Sequence, residues 1–324
     1  MGKGFTFDGA LMFPFRAAHA RSFPWKFALA MAAIGTVLTG LLLYLVRGTF
    51  FSMVDTLEQM DDSGTEDVQL IFRTLFQAFG AVLPWLVVAA LVSWAVWAMF
   101  TTASQRRYIF DEDFSLRFGS DELRMMGVGF VWYAAQSVFS IIILLVMAPV
   151  FMSVASGDIE SMPENQLAGM VLGRMAIVML LMLIFLPVYI FFATRFSPVF
   201  ALTVKEKKFA FGDAWIVSRG RFWPILGAYL IIVIVGGMAV SFAGSAAQMV
   251  LMPALLSSPA VMEDIEDLRS LFTPAVVVAM LVYIFIRYFL SGLLMHFVHA
   301  PAAFAVRHDP RGGVDDAMNI AEFD

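Results

Sequence analysis

The one charged side chain well inside an apolar run of this sequence is Arg287, with Tyr283 one turn before it and Tyr288 beside it. It lies roughly 20 Å of helix from the start of its run, and a central arginine costs about 2.5–3.5 kcal/mol to insert in a bilayer. No Asp or Glu falls inside any of the predicted spans, so an ionic partner has to come from a loop or another subunit. An intramembrane charge is a pointer to function by default. The chemistry open to this one is contact with an anion, a lipid phosphate or a substrate in a polar cavity. The plainer alternative is a guanidinium satisfied by carbonyls, by Tyr283 or Tyr288, or by local water.

Other reactive groups are sparse. His296 and His299 share a helix face at i, i+3 spacing and could bind metal or accept protons. They lack a nearby acidic or thiolate ligand, and read as ordinary interfacial histidines; His19 and His308 lie in polar segments. With no cysteine, disulfides, zinc-thiolate sites, iron–sulfur clusters and thiol nucleophiles are excluded together. Phosphate-binding glycine loops, H-E-x-x-H and G-x-S-x-G are absent. Neither Asp61-Asp62 nor Glu263-Asp264-Ile265-Glu266-Asp267 has calcium-loop spacing. The expectation is a non-enzymatic protein with no cofactor, no metal and no nucleic-acid partner.

The elements that hold these residues follow from composition. Hydrophobic residues make up 60% of the 324 positions and charged residues 15%, against about a quarter charged in soluble domains. About 20 apolar residues cross a bilayer core. Six runs meet that length, near 27–46, 82–100, 130–151, 175–194, 222–246 and 275–298. The fold class expected is all-α, a polytopic bundle of six transmembrane helices in a single membrane domain over 1–324. Segments 1–26, 101–129, 195–221 and 299–324 hold sixteen of the 21 Lys and Arg, while the alternate loops hold four and are acidic, with Asp55, Glu58, Asp61, Asp62, Glu66 and Asp67 in the first. The positive-inside bias places both termini in the cytoplasm. No A-x-A site follows the first run, which is expected to stay as an anchor.

Each basic segment reads alike as it nears an odd-numbered span: Phe7-Asp8-Gly9-Ala10-Leu11, Phe118-Gly119-Ser120-Asp121-Glu122, and Phe211-Gly212-Asp213-Ala214-Trp215, with a restart at Gly313-Val314-Asp315-Asp316-Ala317. The physical content is a helix start, with Gly for the turn and Asp or Ser to cap free amides. The reading is three hairpins, each entered from an interfacial helix. Trp215, Arg219, Arg221 and Trp223 are expected to contact the headgroup layer, and Lys205-Glu206-Lys207-Lys208 to form a patch facing anionic lipid. Ala28, Ala32, Thr36 and Gly40 stripe the first span, Gly169 and Gly173 form a GxxxG in the fourth, and Gly237, Ser241 and Ser245 stripe the fifth, where helices pack closely or a dimer forms. Pro84, Pro149 and Pro187 can kink their spans.

The stretch Arg195-Phe196-Ser197-Pro198-Val199-Phe200-Ala201-Leu202, continuing to Asp213-Ala214-Trp215 and Ser218-Arg219-Gly220-Arg221-Phe222-Trp223, resembles the helical membrane region of some bacterial glycerophosphoryl diester phosphodiesterases and of stand-alone six-helix inner-membrane proteins. The resemblance implies a multi-pass protein of the bacterial inner membrane. No catalytic barrel accompanies it, so neither activity nor active-site residues carry over. Two functions are consistent with the sequence. One is a structural, lipid- or partner-binding membrane protein, a homo-oligomer included. The other is a small transporter or channel for an anionic or amphipathic solute that uses Arg287.

Overall fold

The computed structural model describes residues 5–62, 68–156, 163–256, 273–309 and 311–312. The acidic residues Glu66, Asp67, Glu263, Asp264, Glu266 and Asp267, the side chains of Glu58, Asp61 and Asp62, and the segment from Gly313 to Ala317 lie outside that description. Among the described residues all regular structure is helical. In order it comprises α1 (Phe7–Arg16), α2 (Phe23–Asp62), α3 (Val68–Phe110), α4 (Ser120–Ala155), α5 (Glu164–Phe196), α6 (Val199–Glu206), α7 (Phe211–Val217), α8 (Phe222–Leu256), α9 (Pro274–Val298) and α10 (Ala300–Arg307). Six of these, α2, α3, α4, α5, α8 and α9, are long and apolar enough to cross a membrane. The chain is an all-α, multi-pass membrane protein.

The long helices overrun their apolar stretches. α2 has 40 residues and α3 has 43, about 60 Å of rise each. Losing hydrophobicity does not end a helix; a stop signal does, and neither Arg47-Gly48 nor Arg73 supplies one. Pro84, Pro149 and Pro187 all lie inside continuous helix.

The three repeated phrases do start helices, each by its own device. At α1 the Thr6 hydroxyl, not Asp8, accepts the Gly9 amide at 3.0 Å. At α4 the Glu122 carboxylate reaches back to accept the Gly119 amide at 2.9 Å, half of a capping box. At α7 no side chain caps the helix, and Asp213 is used in ion pairs instead. The phrase at Gly119 opens the long helix α4 directly, with no separate short helix before it. Gly220 precedes α8 at φ +74°, a turn that glycine enters without strain. α9 passes into α10 through His299 with φ −72° and ψ −18°. Pro301 then sits in the first turn of α10, where a missing N–H costs nothing.

The chain divides into two compact units. The first contains residues 1–41, 91–128 and 193–324. Its core joins Phe13, Tyr108, Ile109, Leu202, Val217, Ile225 and the buried face of α10. A second cluster gathers Phe23, Phe27 and Phe100. The second unit contains residues 42–90 and 129–192. There α4 and α5 are joined by Phe139 stacked on Phe185 at 3.8 Å and by Gln136 Nε2 donating to the Tyr189 hydroxyl at 2.6 Å. That bond gives the part-buried Gln136 amide a partner between these two apolar helices. Most of this unit's large apolar side chains are exposed, as a lipid-facing surface requires.

Candidate functional site

Arg287 stands on the face of α9 that meets α8. Its guanidinium lies against Gly244: a Cβ there would come within 2.6 Å of Nη1. Seven residues further on, Leu294 fills the corresponding socket at Gly236, so α8 and α9 run antiparallel in constant register. Arg287 therefore stays level with Gly244 and does not reach along the helix to an end. A second face of α9, about a third of a turn round, meets α2, where the Tyr288 ring covers Gly35 and Leu281 covers Gly40. Gly35 is about 14 Å of helix past Lys26 and about 18 Å short of Arg47, so Arg287 is at mid-span. Its neighbour Tyr288 is engaged elsewhere, with its hydroxyl 3.0 Å from Thr39 Oγ1. Tyr283 is half-buried one turn earlier on α9. Among the described residues Arg287 has no ion pair and no hydrogen bond.

A second concentration of polar groups is buried in the first unit, and it takes in His296, expected at the interface but fully buried. It centres on His296. Arg107 Nη1 donates to His296 Nε2, and arginine can only donate. The imidazole proton is therefore on Nδ1, which faces Ser104 Oγ at 2.8 Å. With Nε2 occupied, the Tyr108 hydroxyl donates to the His296 carbonyl at 3.1 Å, and its ring stacks on the imidazole at 4.8 Å. Arg107 also donates through Nε to Ala18 O at 2.8 Å and through Nη2 to Pro14 O at 3.0 Å. One guanidinium thus ties α3, α9 and the α1–α2 connection together. Phe23 and Phe27 close over the imidazole. Beside this group, Arg106 pairs with Glu122 at 2.8 Å, both side chains 2% exposed. The signal in the sequence was Ser104, Arg107 and Tyr108 at i, i+3 and i+4, one helix face.

Three more arginines close helix C-termini, whose last carbonyls lack intrahelical donors. Arg307 donates to Tyr108 O at 3.1 Å and forks onto Asp111 at 3.0 and 3.3 Å. Arg221 donates to Ala305 O and His308 O at the end of α10. Arg195 donates to Ser218 O at 3.0 Å while lying over the Trp215 and Phe222 rings. Arg221, expected at phosphate depth, is thus half-buried and internally engaged. Arg219 and Trp223 are exposed, Trp223 by 76%, and Trp215 is partly so.

At the edge of the unit, Arg311 bridges Asp309 at 2.9 Å and Asp213 at 2.6 Å, and Lys208 joins Asp213 at 3.1 Å. Hydrogen bonds from Arg311 and then Lys208 hold the Asp213 carboxyl below the usual range. Hydrogen bonds to Asp309 and then Asp213 raise the Arg311 pKa, and hydrogen bonds to Glu206 and then Asp213 raise that of Lys208. Lys208 of the expected lipid-facing patch is therefore paired within the protein, as is Lys205, which donates to Gly312 O at 2.7 Å. Among the described residues no group of three or more His, Asp or Glu converges as a metal site. Comparison with protein families, with curated proteins and with solved structures finds no match, so the reading of function rests on this geometry.

Proposed function

We propose that this chain is a non-enzymatic multi-pass protein of the bacterial inner membrane, with both termini cytoplasmic and a structural role exercised by binding lipid or a membrane-protein partner. A second copy of the chain is one such partner. The observation that carries this reading is the use made of its ionisable groups. Arg106, Arg107, His296, Arg221 and Arg307 are all spent on internal partners, an arrangement that stiffens a fold and leaves no free nucleophile or general base among them. Because the sequence has no cysteine, single cysteines report topology cleanly. A membrane-impermeant maleimide should label Arg47→Cys, and not Arg219→Cys, in intact spheroplasts; the opposite pattern overturns the orientation. Proteoliposomes of the purified protein should carry no saturable flux of small anions, while native mass spectrometry should show retained phospholipid or a defined oligomer.

A second reading, a small transporter or channel for an anionic or amphipathic solute, is favoured by one observation: the unpaired Arg287 at mid-span. Saturable flux in the wild type that disappears in Arg287→Ala would establish this reading and remove the first.

A further inference from the structure

We infer that the seam between α8 and α9 at Arg287 is a binding site for a single-chain amphipathic carboxylate of the fatty-acid class, entered sideways from the hydrocarbon. This rests on the lipid-binding reading above and names the ligand for one place in it. The guanidinium is half-buried, level with Gly244, and has no hydrogen bond or ion pair among the described residues. The register of α8 against α9 keeps it from either membrane surface, as Leu294 on Gly236 and Arg287 on Gly244 fix both helices at one height. Tyr288, the nearest hydroxyl along the chain, is turned to Thr39 on the face of α9 that meets α2. A lone cation held in hydrocarbon recruits an anion, and the surroundings select which kind.

Three features of the place choose the headgroup and tail. A carboxylate matches the planar fork of arginine with two parallel hydrogen bonds and leaves a neutral pair. A phospholipid phosphate is tethered by its glycerol and two chains at the interface, about 14 Å or more of helix away. A small inorganic anion would have to shed its whole hydration shell, whereas a single acyl chain lies along the apolar faces of α8 and α9. The half-buried Val240 and Leu251 on α8 and Ile286 and Leu290 on α9, within two turns of Gly244 and Arg287, provide such surface on these two helices. The short approach at Gly244 is part of the site, because only glycine there leaves room for the guanidinium in the seam.

The test uses the full chain in phosphatidylcholine nanodiscs at pH 8, comparing retention of oleate with that of uncharged oleyl alcohol. The wild type should prefer oleate by about tenfold, the worth of one charge-assisted pair. Arg287→Gln should bring the two to equal retention, and Arg287→Lys should fall between. Gly244→Ala keeps the charge but displaces the guanidinium, and should lower the preference if Arg287→Gln does not fold. Equal retention of oleate and oleyl alcohol by the wild type would overturn the assignment. So would an undiminished preference in Arg287→Gln, or displacement of oleate by inorganic phosphate. Phospholipid retained in the same samples while the oleate preference is missing sinks this site alone; loss of both sinks the lipid-binding reading.

Discussion

One oxygen of Glu122 lies 2.8 Å from the Arg106 guanidinium, in a pair buried on both sides. The other oxygen accepts the Gly119 amide at 2.9 Å. A single carboxylate therefore starts α4 and neutralises the end of α3. Desolvating two charges is expensive, so such a pair fixes geometry more than it adds stability, and removing one member leaves the other exposed to the full cost.

Glu122→Gln should retain an acceptor for the Gly119 amide and leave the buried Arg106 with only the more distant, half-exposed Glu112 at 3.8 Å. The expected loss is about 3–5 kcal/mol, read as a lower unfolding midpoint in a denaturant titration in nanodiscs. The double change Arg106→Met with Glu122→Leu should recover most of it. A double variant as unstable as Glu122→Gln would show that the pair is not the cause.

Arg107→Lys keeps the charge but cannot span three acceptors in different directions. The carbonyls of Pro14 and Ala18 lose their donors, at about 1–3 kcal/mol for each buried group left unpaired. Limited proteolysis should cut faster in the α1–α2 connection, residues 17–22, than in the wild type. Equal cutting rates would mean that Arg107 does not hold that connection.

Gly292→Val and Gly237→Val should separate packing from propensity. A Cβ at Gly292 meets the Ala28 backbone at 3.1 Å and Met31 at 3.3 Å, while one at Gly237 meets nothing within 4 Å. Overpacking should cost about 1–3 kcal/mol at Gly292 and within about 0.5 kcal/mol at Gly237. Thermal unfolding of the two variants checks the difference, and comparable midpoints would refute the α2–α9 contact.

The Asp213 carboxyl is depressed by Arg311 and Lys208, so its contribution is present above the unfolded carboxyl value of about 3.9. It is lost as pH falls through the lower folded value. Protection from hydrogen exchange in residues 205–213, taken relative to the intrinsic rate at each pH, should be flat at neutral pH and fall on acidification through that window. Asp213→Asn should be weakly protected throughout and lack the acid transition; a variant that retains it would place the titration elsewhere.

The residues of this sequence by themselves determined the class of fold. Six apolar runs of spanning length, too few charges for a wetted surface, and Gly-Asp or Gly-Ser phrases at helix starts all follow from local composition, which a bilayer reads one helix at a time. Arg287 was legible for the same reason, since a charge inside an apolar run stands out without any knowledge of neighbours. Small-residue spacing was a weaker guide. Ala28, Ala32 and Gly40 do face close neighbours, but in α8 the contact falls on Gly236 and Gly244, and Gly237 and the Gly169–Gly173 pair meet nothing within 4 Å. Spacing names a stripe, and only the partner helix decides which of two adjacent stripes it meets. The His296 group was hidden more deeply. Ser104, Arg107 and Tyr108 lie far along the chain from His296, and in the sequence Arg107 counted only among the charges that set topology, while Arg221 was expected at the headgroups. Tertiary structure turned several inward, because the carbonyls at the ends of α3, α7 and α10 need donors and folding brings the arginines to them.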